Sequence, residues 1–113
     1  MELEIASQGF AAVGSEPRLE VVLSLVRAGP EGLTIGEIQN RLDIPASTLA
    51  HHIKFLSAAG LVVQEKHGRS VINRAAYERL EALGAFLLKE CCLEAESRAE
   101  NHMDNKAKEL QNV

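Results

Sequence analysis

The chain has no tryptophan and few aromatic residues of any kind, 4% of the total, so its core has to be built from small aliphatic side chains and is modest in size. Cysteine is nearly absent: Cys91 and Cys92 are the two present, adjacent in sequence. That is too few and too close for the disulfide framework of a small secreted domain. No apolar run approaches the roughly 18 to 20 residues a membrane span requires. The first ten residues carry Glu2 and Glu4 where a secretory leader would carry Lys or Arg. A cytoplasmic location is therefore expected, with no membrane partner. Also lacking is any Ser/His/Asp set, paired-carboxylate set or phosphate-cradling glycine loop, which argues against an enzyme. The 113 residues suit a single domain, since cores usually occupy about 100 to 150 residues.

Net charge is −4, which speaks against indiscriminate binding of nucleic acid, so the distribution matters more than the total. From Ala46 to Ala75 stand Lys54, Lys66, Arg69 and Arg74 against Glu65 alone, a balance of +3 that leaves −7 for the other residues. One basic segment in an acidic chain suggests a confined anionic partner.

Periodicity organises the rest. Ile5–Val13 reads as a short apolar helix closed by Gly14. Ser15 can cap a second helix that tolerates Pro17 in its first turn, with Leu19, Val22, Leu23 and Val26 as its inward stripe. After Gly29, Pro30 and Gly32, Thr34 and Glu37 form a capping box for a third helix that buries Ile35, Ile38 and Leu42. Asp43-Ile44 makes a tight turn. A fourth helix opens at Pro45 or Ala46, faces inward with Leu49, Ile53 and Leu56, and stops at Gly60. Two short helices about a tight turn are a helix-turn-helix. Leu61–Lys66 and Ser70–Ala75 read as strands joined at His67-Gly68, a hairpin wing. From Ala76 a last helix carries Tyr77, Leu80, Gly84, Leu87 and Cys91 along one stripe, widened by Leu83 and Leu88, and so wide a face calls for a partner. The fold class is mainly α with a small β-hairpin, a winged helix-turn-helix over residues 1–93. The polar segment 94–113, with Ala95, Ala99, Met103 and Ala107 at four-residue spacing, is either a helical extension or disordered.

A helix that enters the major groove needs small polar side chains near its N-terminus and an apolar inner side. Ser47, Thr48, His51 and Lys54 avoid the inward stripe and meet that need. Lys66, Arg69 and His67 at the wing would meet phosphates or the neighbouring minor groove. The acidic total keeps a second class open, a winged-helix protein-interaction module that does not bind DNA.

The run from Ser47 through His51, His52 and Lys54 to Leu56, followed by Ala59-Gly60-Leu61-Val62 and Gly68-Arg69, resembles the recognition helix and wing of the ArsR/SmtB family of repressors. Ser15-Glu16-Pro17-Arg18-Leu19 is similar to the family's opening, so the resemblance covers about residues 10–92. It implies a homodimer formed by the first and last helices, bound to double-stranded operator DNA until an inducer lowers its affinity. Ser47, Thr48 and His51 fall on positions the family uses at DNA. Ala50 stands where Ser is common, and Asn73 where an aromatic is usual after the wing.

The same resemblance guides the search for an inducer site. Glu37–Leu42 lacks the family's cysteine, and Tyr77–Glu90 lacks the histidine of its zinc sites. Cys91-Cys92 is similar to the pair that arsenic-responsive members carry near the end of the last helix. Soft thiolates suit trivalent arsenic or antimony, including an organoarsenical that needs fewer protein ligands, and no obligatory cofactor is implied. Adjacent residues of an intact helix point about 100° apart, so either the helix loosens here or the second protomer supplies a sulfur. Two other readings stay open: Cys91 as a small apolar residue of the dimer seam, and redox or reactive-sulfur sensing by the thiols. His51 and His52 diverge on one helix, which makes a shared metal improbable, while His102 could add a nitrogen ligand.

Overall fold

A computed structural model describes residues 1–96. The element order is α1 (Leu3–Val13), α2 (Glu16–Ala28), α3 (Ile35–Leu42), α4 (Ala46–Ala58), β1 (Val62–His67), β2 (Ser70–Ala75), α5 (Tyr77–Leu88) and a final turn of helix, α6 (Leu93–Glu96). The expectations for Ala99, His102, Met103 and Ala107 lie outside the described residues.

Local chemistry accounts for the boundaries. The Ser15 hydroxyl accepts the Arg18 N–H at 3.4 Å, and Pro17 sits in the first turn of α2, where a missing N–H costs nothing. Thr34 and Glu37 complete the capping box: the Thr34 hydroxyl accepts from the Glu37 N–H at 3.2 Å, and the Glu37 carboxylate accepts from the Thr34 N–H at 3.0 Å. These bonds hold the Glu37 carboxyl below its ordinary value, the backbone donor of Thr34 foremost. Asp43 ends α3 in the left-handed conformation, φ 53°, which permits the short turn into α4.

Beneath the helices lies one core, formed by Ala6, Ala12, Val21, Val22, Leu25, Leu33, Ile38, Leu49, Ile53, Leu56, Leu61, Val62, Ala75 and Leu83. On α2 the buried side is Val21, Val22 and Leu25, whereas Leu19, Leu23 and Val26 are exposed. The expected stripe is thus displaced to the other flank of Val22. At about 100° per residue both flanks of this helix are apolar, and the other elements cover only one of them. The stripes of α3 and α4 lie as expected, with Ile38, Leu49, Ile53 and Leu56 buried and Ile35 and Leu42 packed against them.

The hairpin pairs Val62 with Ala75 through to His67 with Ser70. Its two-residue loop is therefore Gly68-Arg69, one residue later than His67-Gly68, and Gly68 supplies the positive φ of 62° at the first loop position. On the outer edge of β2, Leu33 and Asn73 exchange backbone hydrogen bonds at 2.9 and 2.8 Å. The approach there is so close that a Cβ on Gly32 would lie 2.5 Å from the Asn73 carbonyl oxygen. Asn73 is fully buried, and its side chain is held by polar partners, Gln64 and the Leu33 carbonyl.

The last helix ends sooner than its stripe implied. It stops at Leu88, the chain turns through residues 89–92, and Cys92 takes φ 66° before α6 begins. Cys91 therefore does not continue the Tyr77, Leu80, Gly84, Leu87 row. Leu83 is buried, with Leu80 and Phe86 packed against the core. The outer side of α5 and the start of α1 remain bare: Leu87 is 65% exposed, Leu88 70% and Leu3 73%.

Candidate nucleic-acid interface

Helix α4 is held from behind by α1, α2, α3 and β1. Because Leu49, Ile53 and Leu56 are drawn into the core, Ser47, Thr48, His51 and Lys54 are left on the exposed side. The helix starts at Pro45 without a side-chain cap and without an acidic residue in its first turn. Its N-terminal backbone donors thus form an electropositive end that suits phosphate. Gln39 steadies the turn before it, donating from Nε2 to the Ile44 carbonyl at 3.3 Å.

The wing divides its charges. Among the described residues no ion pair engages Lys66 or Arg69, and both are exposed. His67 instead lies 3.1 Å from Glu65 through Nε2. Arg74 pairs with the other oxygen of Glu65 and donates from Nε to the Pro30 carbonyl at 2.8 Å. The Arg74 guanidinium, aided by His67, holds the Glu65 carboxyl below its usual value. Of the basic residues counted in this segment, Arg74 is spent on anchoring the wing, and His67 is turned toward an acid.

Arg18 plays a part that sequence reasoning missed. Its guanidinium donates to the carbonyls of Ala12 at 2.6 Å and Ala11 at 3.2 Å, closing the end of α1, and lies 4.4 Å from the centre of the exposed Phe55 ring on α4. The nearby His52 is half-buried, with Nδ1 enclosed and without a hydrogen-bond partner among the described residues. Burial, then the charges of Arg18 and His51, push its pKa below the ordinary 6.5. Only the length and cationic character of Arg18 could have signalled this role, since its partners come from two other helices.

Beyond α5, Cys91 and Cys92 are both exposed, and their Sγ atoms lie 3.3 Å apart. The Cys91 N–H donates to the Leu88 carbonyl at 2.9 Å, which tightens the turn. The hydrogen bond with the Cys92 thiol, and then the cost of a second negative sulfur so close, raise the Cys91 pKa. No cluster of three or more His, Cys, Asp or Glu side chains able to hold a metal occurs among the described residues. Nor is any described helix long and apolar enough to cross a membrane.

Three helices, a reading helix presented outward and a two-stranded wing define a winged helix-turn-helix. A helix-turn-helix domain family matches residues 13–65. The chain is 34% identical over 67 residues to the uncharacterized HTH-type transcriptional regulator YceK of Bacillus subtilis, covering 59% of this chain and 66% of that protein. It is 31% identical over 78 residues to the HTH-type transcriptional repressor SmtB of Mycobacterium tuberculosis, covering 69% of this chain and 56% of that one. The chain thus spans somewhat less than two thirds of these relatives. An ArsR-like transcriptional regulator from Rhodococcus sp. RHA1 superposes with TM-score 0.70 at 28% identity, over 87% of this chain and 89% of its own. A homodimeric winged helix-turn-helix domain from Mycobacterium bovis, Mb0332, shares the fold with TM-score 0.62 at 21% identity, over 79% and 82%. In fold the chain is a winged helix-turn-helix protein, and it is similar in sequence and structure to regulators of the ArsR/SmtB type.

Proposed function

We propose that this chain is a homodimeric transcriptional repressor that binds double-stranded operator DNA through α4 and the wing. In this reading, trivalent arsenic or antimony, or an organoarsenical, binds at Cys91 and Cys92 and releases it. The observation that carries the DNA reading is the outward row Ser47, Thr48, His51 and Lys54 on a helix whose other side is buried. Ser47 and Thr48 stand near the helix N-terminus, where base edges are reached, and Lys66 and Arg69 supply phosphate contacts from the wing. The apolar surface of α1 and α5 supports pairing with a second copy, which would place two reading helices on successive turns of the duplex.

The thiol pair supports the inducer reading through its spacing. Two sulfurs 3.3 Å apart, each bonded at about 2.3 Å to one atom, subtend about 90° there. That angle suits a pyramidal centre with a lone pair better than tetrahedral zinc or a linear soft cation. The loosened helix brings the two thiols together, and a third sulfur, if used, comes from outside the protomer. Occupation would stiffen the turn at the end of α5, whose Leu83 packs beside Gly9 of α1, and so alter the dimer that spaces the reading helices.

The test is fluorescence anisotropy of a labelled promoter duplex titrated with the protein, with and without arsenite. Native protein is expected to bind in a strongly salt-dependent manner and to release DNA with arsenite, while the Cys91→Ser, Cys92→Ser double variant stays bound. Equal release from both proteins removes the thiols as the sensor. Absence of duplex binding at low salt removes the repressor itself.

A further inference from the structure

We infer that Cys91 and Cys92 close reversibly into a disulfide with each other, making the turn after α5 an oxidation-sensitive site. In an unbroken helix, neighbouring side chains diverge by about 100°. Here the chain leaves α5 at Leu88, and Cys92 enters the left-handed region at φ 66°, which swings its sulfur to 3.3 Å from that of Cys91. Closing the remaining gap calls for rotation about the two Cα–Cβ bonds and adjustment of the turn backbone, and residues 89–92 are exposed and lie outside any helix, so no packed element need move. Both thiols are exposed, so a small oxidant reaches them.

The oxidant we assign is a low-molecular-weight disulfide. The thiolate of one cysteine attacks it, forming a mixed disulfide and expelling one small thiol. The second cysteine attacks the protein sulfur of that mixed bond and expels the other small thiol. Two protein S–H bonds are lost, one S–S bond forms, and two electrons pass to the small disulfide, which leaves as two thiols. Neighbouring Cα atoms are about 3.8 Å apart across a trans peptide, less than the roughly 4.4 Å minimum of ordinary disulfides. The ring is therefore strained and easily re-reduced, which suits a switch rather than a staple. Once closed, neither sulfur can bond a thiophilic centre; this consequence rests on the inducer reading, whereas ring closure does not.

The experiment is intact-mass spectrometry of the reduced, full-length protein after exposure to oxidised glutathione, followed by phenylarsine oxide. The expected product is a single chain lighter by two hydrogen atoms and carrying no glutathione, restored by dithiothreitol. Cys92→Ser is expected to retain one glutathione instead. A lasting glutathione adduct on the native chain, or a disulfide between two copies, overturns the proposal. Reduced protein is expected to gain one phenylarsine group and oxidised protein none. If the ring forms but the reduced protein gains no arsenical, the inducer reading fails and the disulfide stands. If the arsenical binds while glutathione persists on the native chain, the disulfide fails and the inducer reading stands.

Discussion

Asn73 and Leu33 are joined three times: by two backbone hydrogen bonds and by the Asn73 side chain, which donates from Nδ2 to the Leu33 carbonyl at 3.1 Å. The Asn73 carbonyl oxygen Oδ1 in turn accepts from Gln64 at 3.0 Å. One buried amide thus latches both strands of the wing to the segment leading into α3. Replacing it with Leu removes both side-chain hydrogen bonds, to the Leu33 carbonyl and from the exposed Gln64, each worth about 0.5–1.5 kcal/mol net. Urea unfolding of Asn73→Leu is expected to show a lower midpoint, and an unchanged midpoint would deny the latch.

Thr48 and Ile53 lie on opposite sides of α4 and should separate binding from stability. Ile53→Ala removes a fully buried side chain and is expected to cost about 2–5 kcal/mol in unfolding free energy. Thr48→Ala should leave unfolding within about 0.5 kcal/mol of native while weakening operator binding by about 1–3 kcal/mol, about 5- to 150-fold. Calorimetry and anisotropy on the same two variants check the split.

In the wing, the unengaged cations and the anchored one should differ in salt dependence. Each phosphate contact contributes a slope of about −0.9 to the plot of log affinity against log salt. Lys66→Gln with Arg69→Gln is expected to flatten that slope by up to about 2. Arg74→Gln should lower thermal stability by freeing Glu65 and the Pro30 carbonyl, with its main effect on the fold. A slope unchanged in the Lys66, Arg69 variant would mean that the wing tip stays clear of the duplex.

Acid should weaken the fold through His52. Its folded pKa lies below 6.5, burial being the main cause, so the unfolded chain takes up the proton first. Stability is then fully present above 6.5 and declines as pH falls from there through the lower folded value. Unfolding free energy measured across this range should fall less steeply for His52→Gln. An equally steep fall in both proteins would point to other groups.

The parts of the fold that were legible in the sequence are those decided locally. Thr34 and Glu37 cap each other within one turn, and the α4 stripe has a single apolar side, so spacing alone places Ser47, Thr48, His51 and Lys54 outward. The α2 stripe was misread because apolar residues lie on both sides of Val22, and only the packing of other elements chooses between them. The row that ends in Cys91 suggested a longer helix. Past Phe86 no side chain of α5 packs on the core, so among the described residues periodicity there has nothing to bury. The buried role of Asn73 and the bridging role of Arg18 depend on contacts between distant segments, which no spacing rule reveals.

Arg18 has a mechanical consequence. One guanidinium grips the carbonyls of Ala11 and Ala12 at the end of α1 and rests on the Phe55 ring of α4, so the helix assigned to the proposed dimer and the helix assigned to the proposed DNA contact are bridged by this side chain in addition to their direct packing. Under the proposed function a tilt of α1 would reach α4 partly through this side chain, as through a clutch, and Arg18→Met is the change that would let it slip.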